Sequence, residues 1–141
     1  EMKKGIAVLL ALLCMVAFAG CSGDPETQFA TVNEMEGVTL ELKEDTLKAT
    51  SGTFLLTNGT DAEISYRDAY HMEKKDADGH WKEFVGTANA QWGEETVAVP
   101  AGETVELPIN WKNLCGSIGT GEFRLIIEVD GNPIAAEFTR E

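Results

Sequence analysis

The chain has 141 residues, of which 43% are hydrophobic, and its formal net charge is −13 at pH 7. That length fits a single domain of ordinary size together with a short leader. The acidic excess argues against a nucleic-acid partner and against docking on anionic lipid, because both surfaces repel negative charge. The acidity itself is typical of a protein that stays soluble outside the cell.

A short positive segment and an apolar run open the chain. Lys3 and Lys4 precede the uninterrupted apolar residues Ile6 to Phe18, and Glu1 is excluded from fold reasoning. A helix needs roughly 20 apolar residues to cross a bilayer, so this run is too short for a comfortable span. It matches the core of a secretory signal peptide better than a buried helix, because no polar face divides it. We predict a cleaved signal peptide over residues 1–20.

The end of this run, "FAGC", resembles the lipobox of bacterial lipoproteins, commonly written L-[AS]-[GA]-C. Ala19, Gly20 and Cys21 match that pattern, whereas Phe18 replaces the usual Leu. The resemblance implies that Cys21 carries a diacylglycerol and becomes the first mature residue. Several acyl chains hold a protein firmly, at about 0.8 kcal/mol per buried methylene. The expected location is the extracytoplasmic side of the cell membrane; a soluble signal peptide with an incidental Cys21 is the alternative.

The next segment, "SGDPETQFATVNEME" at 22–36, is polar and has Gly23 and Pro25 near its start. That composition predicts a flexible tether, so we assign residues 21–36 to the lipidated cysteine and its linker. The remaining residues, 37–141, form the predicted domain.

Cysteine usage leaves no disulfide within one lipidated mature chain. Cys14 leaves with the signal peptide and Cys21 carries lipid, so Cys115 stands alone. A catalytic thiol needs a nearby base, and no pattern brings His71 or His80 to it. We expect Cys115 to be a buried or partly buried structural residue.

From Gly37 onward, apolar residues alternate with a period of two between turn signals. A hairpin is predicted from Tyr70 and Met72 through "DADG" to Trp81, and an Asn-Gly turn ends "TFLLTNGTD". Short strands at regular spacing without a helical pattern predict an all-β, antiparallel sandwich, with the three Trp mainly in packing roles. The predicted inward-facing sets are Val38, Leu40 and Leu42; Val105, Leu107, Ile109 and Trp111; Phe123, Leu125, Ile127 and Val129; and Ile134, Ala136 and Phe138.

Three stretches carry a resemblance to a known family: "MEKKDADGHWKEF", "VPAGETVELPINWKNLCGSIGTGEFRLIIEV" and "AAEFT". They look like the bacterial immunoglobulin-like domains of small lipoproteins, which typically combine a Gly-x-Trp hairpin, a Pro-x-Gly-x turn, a strand ending in Trp, a Leu-x-Gly corner and a Gly-x-[FY]-Arg-[LF] strand. The matching positions are Gly79 to Trp81, Pro100 to Glu103, Trp111, Leu114 to Gly116, and Gly121 to Leu125. The resemblance implies an immunoglobulin-like sandwich and supplies no catalytic residues, because such scaffolds vary in their ligands.

Several patterns that could indicate a metal or phosphate site have simpler interpretations. "DADGH" from Asp76 lacks the acid that a calcium loop needs at its twelfth position, where Thr87 stands, so a hairpin turn is favoured. His71 and His80 with Asp68 could hold zinc, but two scattered imidazoles are more often surface residues. "GSIGTG" at 116–121 precedes a strand rather than a helix and is interpreted as a loop. We predict no metal and no cofactor.

The segment "GTANAQWGEETVAV" at 86–99 is long for a connection between strands. Loops on a rigid sandwich often carry binding function, and an exposed Trp is a common anchor. We therefore name Trp92, with its neighbours Gln91 and Glu94, as candidate binding residues. The alternative is that Trp92 packs onto the edge of its own sandwich.

These patterns favour a lipid-anchored extracytoplasmic interaction module whose partner is an envelope protein or a cell-wall component. A second hypothesis is a protease inhibitor that presents the 86–99 loop in place of substrate. An enzyme or a metal protein ranks last, because no Gly-x-Ser-x-Gly elbow and no carboxylate pair in an apolar setting stands out.

Overall fold

A computed structural model of the chain describes residues 24–141. The predicted signal peptide (1–20), the predicted lipidation site Cys21 and the first residues of the predicted tether lie outside the described residues. Within the described range, no helix is long and apolar enough to cross a membrane.

Strands dominate the described part of the chain, with two helices of a single turn between them. The strands are β1 (Val38–Leu42), β2 (Ser51–Asn58), β3 (Ile64–Arg67), β4 (His71–Lys75), β5 (Trp81–Glu83), β6 (Thr96–Val99), β7 (Thr104–Asn110), β8 (Gly121–Val129) and β9 (Asn132–Arg140). The short helices are α1 (Val85–Ala88) and α2 (Lys112–Cys115).

Two antiparallel sheets face each other. The smaller sheet has the order β1-β2-β7, and the larger has the order β5-β4-β8-β3-β6 with β9 along the other side of β8. A two-residue turn joins β8 to β9, with Asp130 and Gly131 both at positive φ, the conformation that matches strand twist in tight hairpins. The predicted all-β antiparallel sandwich is confirmed.

The core lies between the sheets and follows the predicted alternation. In β2, the buried residues Gly52, Phe54 and Leu56 alternate with partly exposed ones. Trp111, which directly follows β7, is fully buried, and its indole Nε1 donates to the Ala49 carbonyl at 3.0 Å. A large side chain that buries its apolar rings and still satisfies its one donor suits a core position well.

The segment 86–99 differs from the predicted long connection. Residues 85–88 close a helical turn, because the amides of Thr87 and Ala88 donate to the Phe84 carbonyl. Residues 96–99 form β6, which pairs with β3. Only Val99 of this strand is buried, so burial does not alternate along it. The irregular part of the segment is therefore residues 89–95.

The predicted tether also differs from the structure, because residues 25–35 pack on the domain as an N-terminal strap. The strap starts beside β5, where the Glu83 amide donates to the Pro25 carbonyl at 2.8 Å and the Thr27 amide donates to the Trp81 carbonyl at 3.0 Å. These bonds add a strand-like pairing to the edge of the larger sheet.

The strap then reaches the opposite edge of the same sheet, which β9 forms. The Asn33 amide donates to the Pro133 carbonyl at 2.9 Å, and the Asn33 side chain accepts from the Ala135 amide at 2.8 Å. Met35 packs against the hydrophobic core. The chain from Pro25 to Met35 therefore belongs to the fold.

A buried ion pair explains why the strap is needed. Glu73 on β4 and Arg124 on β8 stand opposite each other, and their side chains are only 0% and 7% exposed. The Arg124 Nε donates to Glu73 at 2.6 Å, while Thr27 donates to the other carboxylate oxygen and accepts from Arg124 Nη2. Trp81 covers the guanidinium at 4.6 Å. Buried charges need such complete partners, and the strap supplies one of them.

Arg124→Met tests this account of the pair. The change leaves the Glu73 carboxylate buried without its cation, so we expect the free energy of unfolding to fall by about 3–5 kcal/mol in urea titration. The double variant Glu73→Leu/Arg124→Met removes both charges and should recover most of that loss, since apolar replacement of a buried pair is often neutral. A single variant as stable as the unaltered protein would contradict the account.

Candidate functional site

A cleft of about 320 Å³ opens between β7 and the junction of β3 with β4. Three aromatic residues, Tyr66, Tyr70 and Trp92, contribute to its wall, and Ile127 of β8 also lines it. We call this site the aromatic cleft. Its volume lies at the lower end of the range for small-molecule sites, roughly 300–1,000 Å³.

Strand pairing along β8 creates the space. β4 pairs with Phe123 to Ile126, and β3 pairs with β8 only at Val129. The chain between β3 and β4 leaves this edge at Asp68, whose amide donates to the Glu95 carbonyl at 3.0 Å. Ile127 and its successor therefore lack a paired neighbour on this side, and the gap becomes the cleft.

Trp92 lies in the wall of the cleft against Tyr70, with ring centroids 5.1 Å apart and planes tilted by 55°. Its indole Nε1 is buried and has no hydrogen-bond partner within residues 24–141. A buried donor without a partner costs about 1–3 kcal/mol. Such a group in a folded protein calls for an explanation, and a ligand acceptor is one.

The two tyrosines of the cleft retain their phenolic protons at neutral pH. Burial raises the pKa of Tyr70 to about 12, with a smaller contribution from Cys115. Burial, and then the charge of Asp68, raises the pKa of Tyr66. Both hydroxyl groups therefore remain able to donate and to accept hydrogen bonds.

The Trp92 loop is fixed to the sheet by polar contacts. Arg67 at the end of β3 donates through Nε to the Gly93 carbonyl at 3.1 Å.

Glu106 on the opposite wall of the cleft forms an ion pair with Lys43 at 3.1 Å. Asp68 forms no ion pair in the described part of the chain. When Arg67 is counted with these three side chains, positive and negative charges balance.

The structure separates the three predicted binding residues. Trp92 lines the cleft and is half-buried. It lies in the predicted loop and also packs on the edge of its own sandwich, so it has features of both interpretations. Gln91 and Glu94 are exposed and do not line the cleft. The cleft residues Tyr66, Tyr70 and Asp68 were not predicted, because only the fold brings them to Trp92. A binding role for any of them stays a prediction.

A second polar cluster surrounds Glu83, which is almost fully buried. His71 Nδ1 lies 2.5 Å from its carboxylate, and Gln28 and Thr87 donate to it at 3.0 and 2.9 Å. Burial alone raises the pKa of Glu83, but the hydrogen bonds from His71, Gln28 and Thr87 outweigh burial and hold that pKa below its usual value. These contacts give the cluster a stabilising role in the fold.

The residues weighed for metal binding have other contacts. His71 contacts Glu83, while His80 ends the turn in which the Asp76 carboxylate accepts from the amides of His80 and Asp78, each at 2.9 Å. The "DADG" segment is thus a hairpin turn, as predicted. Among residues 24–141, no group of three or more His, Cys, Asp or Glu side chains could hold a metal ion.

Cys115 ends α2 and is partly buried, as predicted. Burial raises the pKa of its thiol to about 12, and the charges of Glu83 and Asp24 add to that effect. A thiol with so high a pKa carries almost no thiolate at neutral pH and is a poor nucleophile. This agrees with a structural role.

Residues 34–139 match the family model described as "Bacterial Ig-like domain". The chain belongs to this family. Bacterial Ig-like domains of this kind are typically non-catalytic modules, in keeping with the sandwich and with the weakly nucleophilic Cys115. The match also bears out the predicted immunoglobulin-like resemblance, and it begins within the strap.

A comparison of this Ig-like chain with curated proteins finds no match. Similar solved structures include a Pseudomonas fluorescens alkylpurine DNA glycosylase bound to DNA with an abasic site analogue, at 13% identity, 76% coverage of this chain and a TM-score of 0.39. Another is a β-glucosidase of saponin metabolism from intestinal bacteria, at 14% identity, 80% coverage and a TM-score of 0.35. This chain spans only 31% and 18% of those proteins, and neither likeness carries an argument about function.

The lowered pKa of Glu83 predicts how stability depends on pH. Since its carboxyl pKa is lower in the folded state than the unfolded value of 4.5, its contribution to stability is complete above that value and is lost as pH falls through the folded value. Glu83→Gln should lower the free energy of unfolding at pH 7 by about 1–3 kcal/mol and flatten its fall below pH 4.5.

Urea unfolding between pH 3 and pH 7 checks this, with the exposed change Glu44→Gln as the control. The control should keep the pH profile of the unaltered protein. Parallel profiles for Glu83→Gln and the unaltered protein would show that the cluster around Glu83 does not carry the acid sensitivity.

Proposed function

We propose that this Ig-like domain is a lipid-anchored extracytoplasmic binding module, and that its partner binds in the aromatic cleft. The observation that carries the proposal is the buried indole N–H of Trp92, which has no partner in the described chain. Binding sites combine apolar walls with a few well-placed polar groups, and the cleft has this composition.

The Trp92 donor supports a ligand with an acceptor at this point. The N–H is covered by the protein itself, so the Trp92 side chain would have to shift for a partner to accept from it, and that new hydrogen bond would remove the cost of the unsatisfied donor. The attachments of the loop through Arg67 and Asp68 support a site that exists before the ligand arrives. A preformed site loses little conformational entropy when it is filled.

The lipid anchor rests on the apolar run before Cys21 and on the match of "AGC" to the lipobox. The strap adds a geometric consequence. Pro25 is already hydrogen-bonded to β5, and an extended chain advances about 3.5 Å per residue. Cys21 would therefore lie within roughly 14 Å of Pro25, so the domain would stay close to the membrane rather than stand off on a long tether.

The protease-inhibitor alternative has no comparable support. An inhibitory loop would extend from the sandwich, whereas most of segment 86–99 forms α1 and β6. The remaining loop turns Trp92 into the cleft wall. We therefore do not propose inhibition.

Metabolic labelling tests the anchor. The full chain should incorporate an alkyne palmitate analogue when it is produced in a bacterium, and Cys21→Ser should abolish the label. Cys115→Ser is the matched control and should keep the label, because that thiol lies within the folded domain. Equal labelling of Cys21→Ser and the unaltered chain would overturn the proposed anchor.

Affinity capture tests the cleft. Immobilised mature protein should retain a component of an envelope extract, and Trp92→Phe should reduce that retention because it removes the donor and keeps an aromatic ring. The same change should leave the unfolding midpoint unchanged or raise it, since an unsatisfied buried N–H disappears. Glu44→Gln should retain as much as the unaltered bait. Full retention by Trp92→Phe would overturn the proposed role of the indole donor in binding.

A further inference from the structure

The aromatic cleft also restricts the chemistry of its ligand. Resting on the proposed binding role of this site, we infer that the ligand is a neutral saccharide. Four features favour this ligand: the hydrogen-bonding groups of the lining residues, the aromatic wall, the local charge and the neighbouring strand edge.

The residues that line the cleft carry both donor and acceptor groups. The buried Trp92 Nε1 can only donate, and the Asp68 carboxylate, which has no ion-pair partner in residues 24–141, can only accept. The hydroxyls of Tyr66 and Tyr70 can do either. A ligand hydroxyl also does both, so a ring with several hydroxyls can satisfy this mixed set.

The aromatic rings favour a ligand with an apolar face. Tyr70 and Trp92 are tilted by 55° with centroids 5.1 Å apart, which forms an angled wall. A sugar ring presents C–H groups on its faces and hydroxyls around its edge. Such a ring can pack on the aromatic wall while its edge reaches the polar groups of the cleft.

The charge balance favours a neutral ligand. Asp68 and Glu106 carry negative charge, while Arg67 and the Lys43 that pairs with Glu106 carry positive charge. The lining carries one positive and two negative side chains, and Lys43, which lies outside the lining, offsets Glu106. The local charge is therefore small, although the whole chain carries −13. A strongly charged ligand would leave its charge without a matching partner, and that costs free energy when the charge is desolvated.

The neighbouring strand edge disfavours an added peptide strand. β7 borders the cleft and pairs with β2 alone among the described strands. Pro108 in the middle of this edge has no N–H to offer, and proline on an edge is a common device against strand addition. An extended peptide would therefore find an incomplete ladder beside the aromatic wall.

Nitrogen-15 NMR of the mature chain with Cys21→Ser provides the test, because the Trp92 indole N–H gives its own signal. Trp92→Phe identifies that signal by removing it. The probes are chitotetraose, which carries acetamido groups, and cellotetraose and maltotetraose, which carry only hydroxyls. We expect at least one of them to shift the Trp92 signal saturably at millimolar concentration or below.

Two variants measure the contributions of the polar groups. Trp92→Phe should weaken saccharide binding by about 2- to 10-fold, which corresponds to one lost hydrogen bond. Asp68→Asn should weaken it by about tenfold or more, since hydrogen bonds to a charged group are stronger. Asp68 is exposed, so this variant should fold normally, and Glu44→Gln should bind as the unaltered protein does.

The outcomes separate this inference from the proposed function. No shift with any saccharide at 10 mM would overturn the inference, and a shift with decaproline alone would overturn it in favour of a peptide ligand. If envelope capture still depends on Trp92 in either case, the binding module stands. Saccharide binding that Trp92→Phe and Asp68→Asn leave unchanged would place the sugar elsewhere and also overturn the inference.

Discussion

The buried ion pair between Glu73 and Arg124 determines how the start of the domain is arranged. Two charges on the outer face of a sheet would normally remain in water, but here they are covered by Trp81 and by the strap. Burial is tolerable only when each charge has its full set of partners, and Thr27 provides contacts to both. The strap is consequently part of the folding unit, and its removal would expose an incompletely satisfied pair.

A second constraint comes from β8, which is flanked by β9 along its whole length and by β4 and β3 in succession on the other side. Because two strands share one edge, the chain between them must leave the sheet and return. The excursion at Asp68 to Tyr70 leaves a space beside Ile127, and Trp92 forms part of the wall of that space. The cleft is thus a direct result of the strand arrangement.

The sequence was sufficient to predict strands with one clearly apolar face, such as β8 and β9, because the alternation of apolar and polar residues indicates a strand. It was insufficient for β6, where Val99 is the only buried residue. It also misassigned the strap, because Thr27 and its neighbours are polar residues whose partners lie 46 and 97 positions away. Trp92 could be selected from its loop, whereas the rest of the cleft depends on contacts that only the fold reveals.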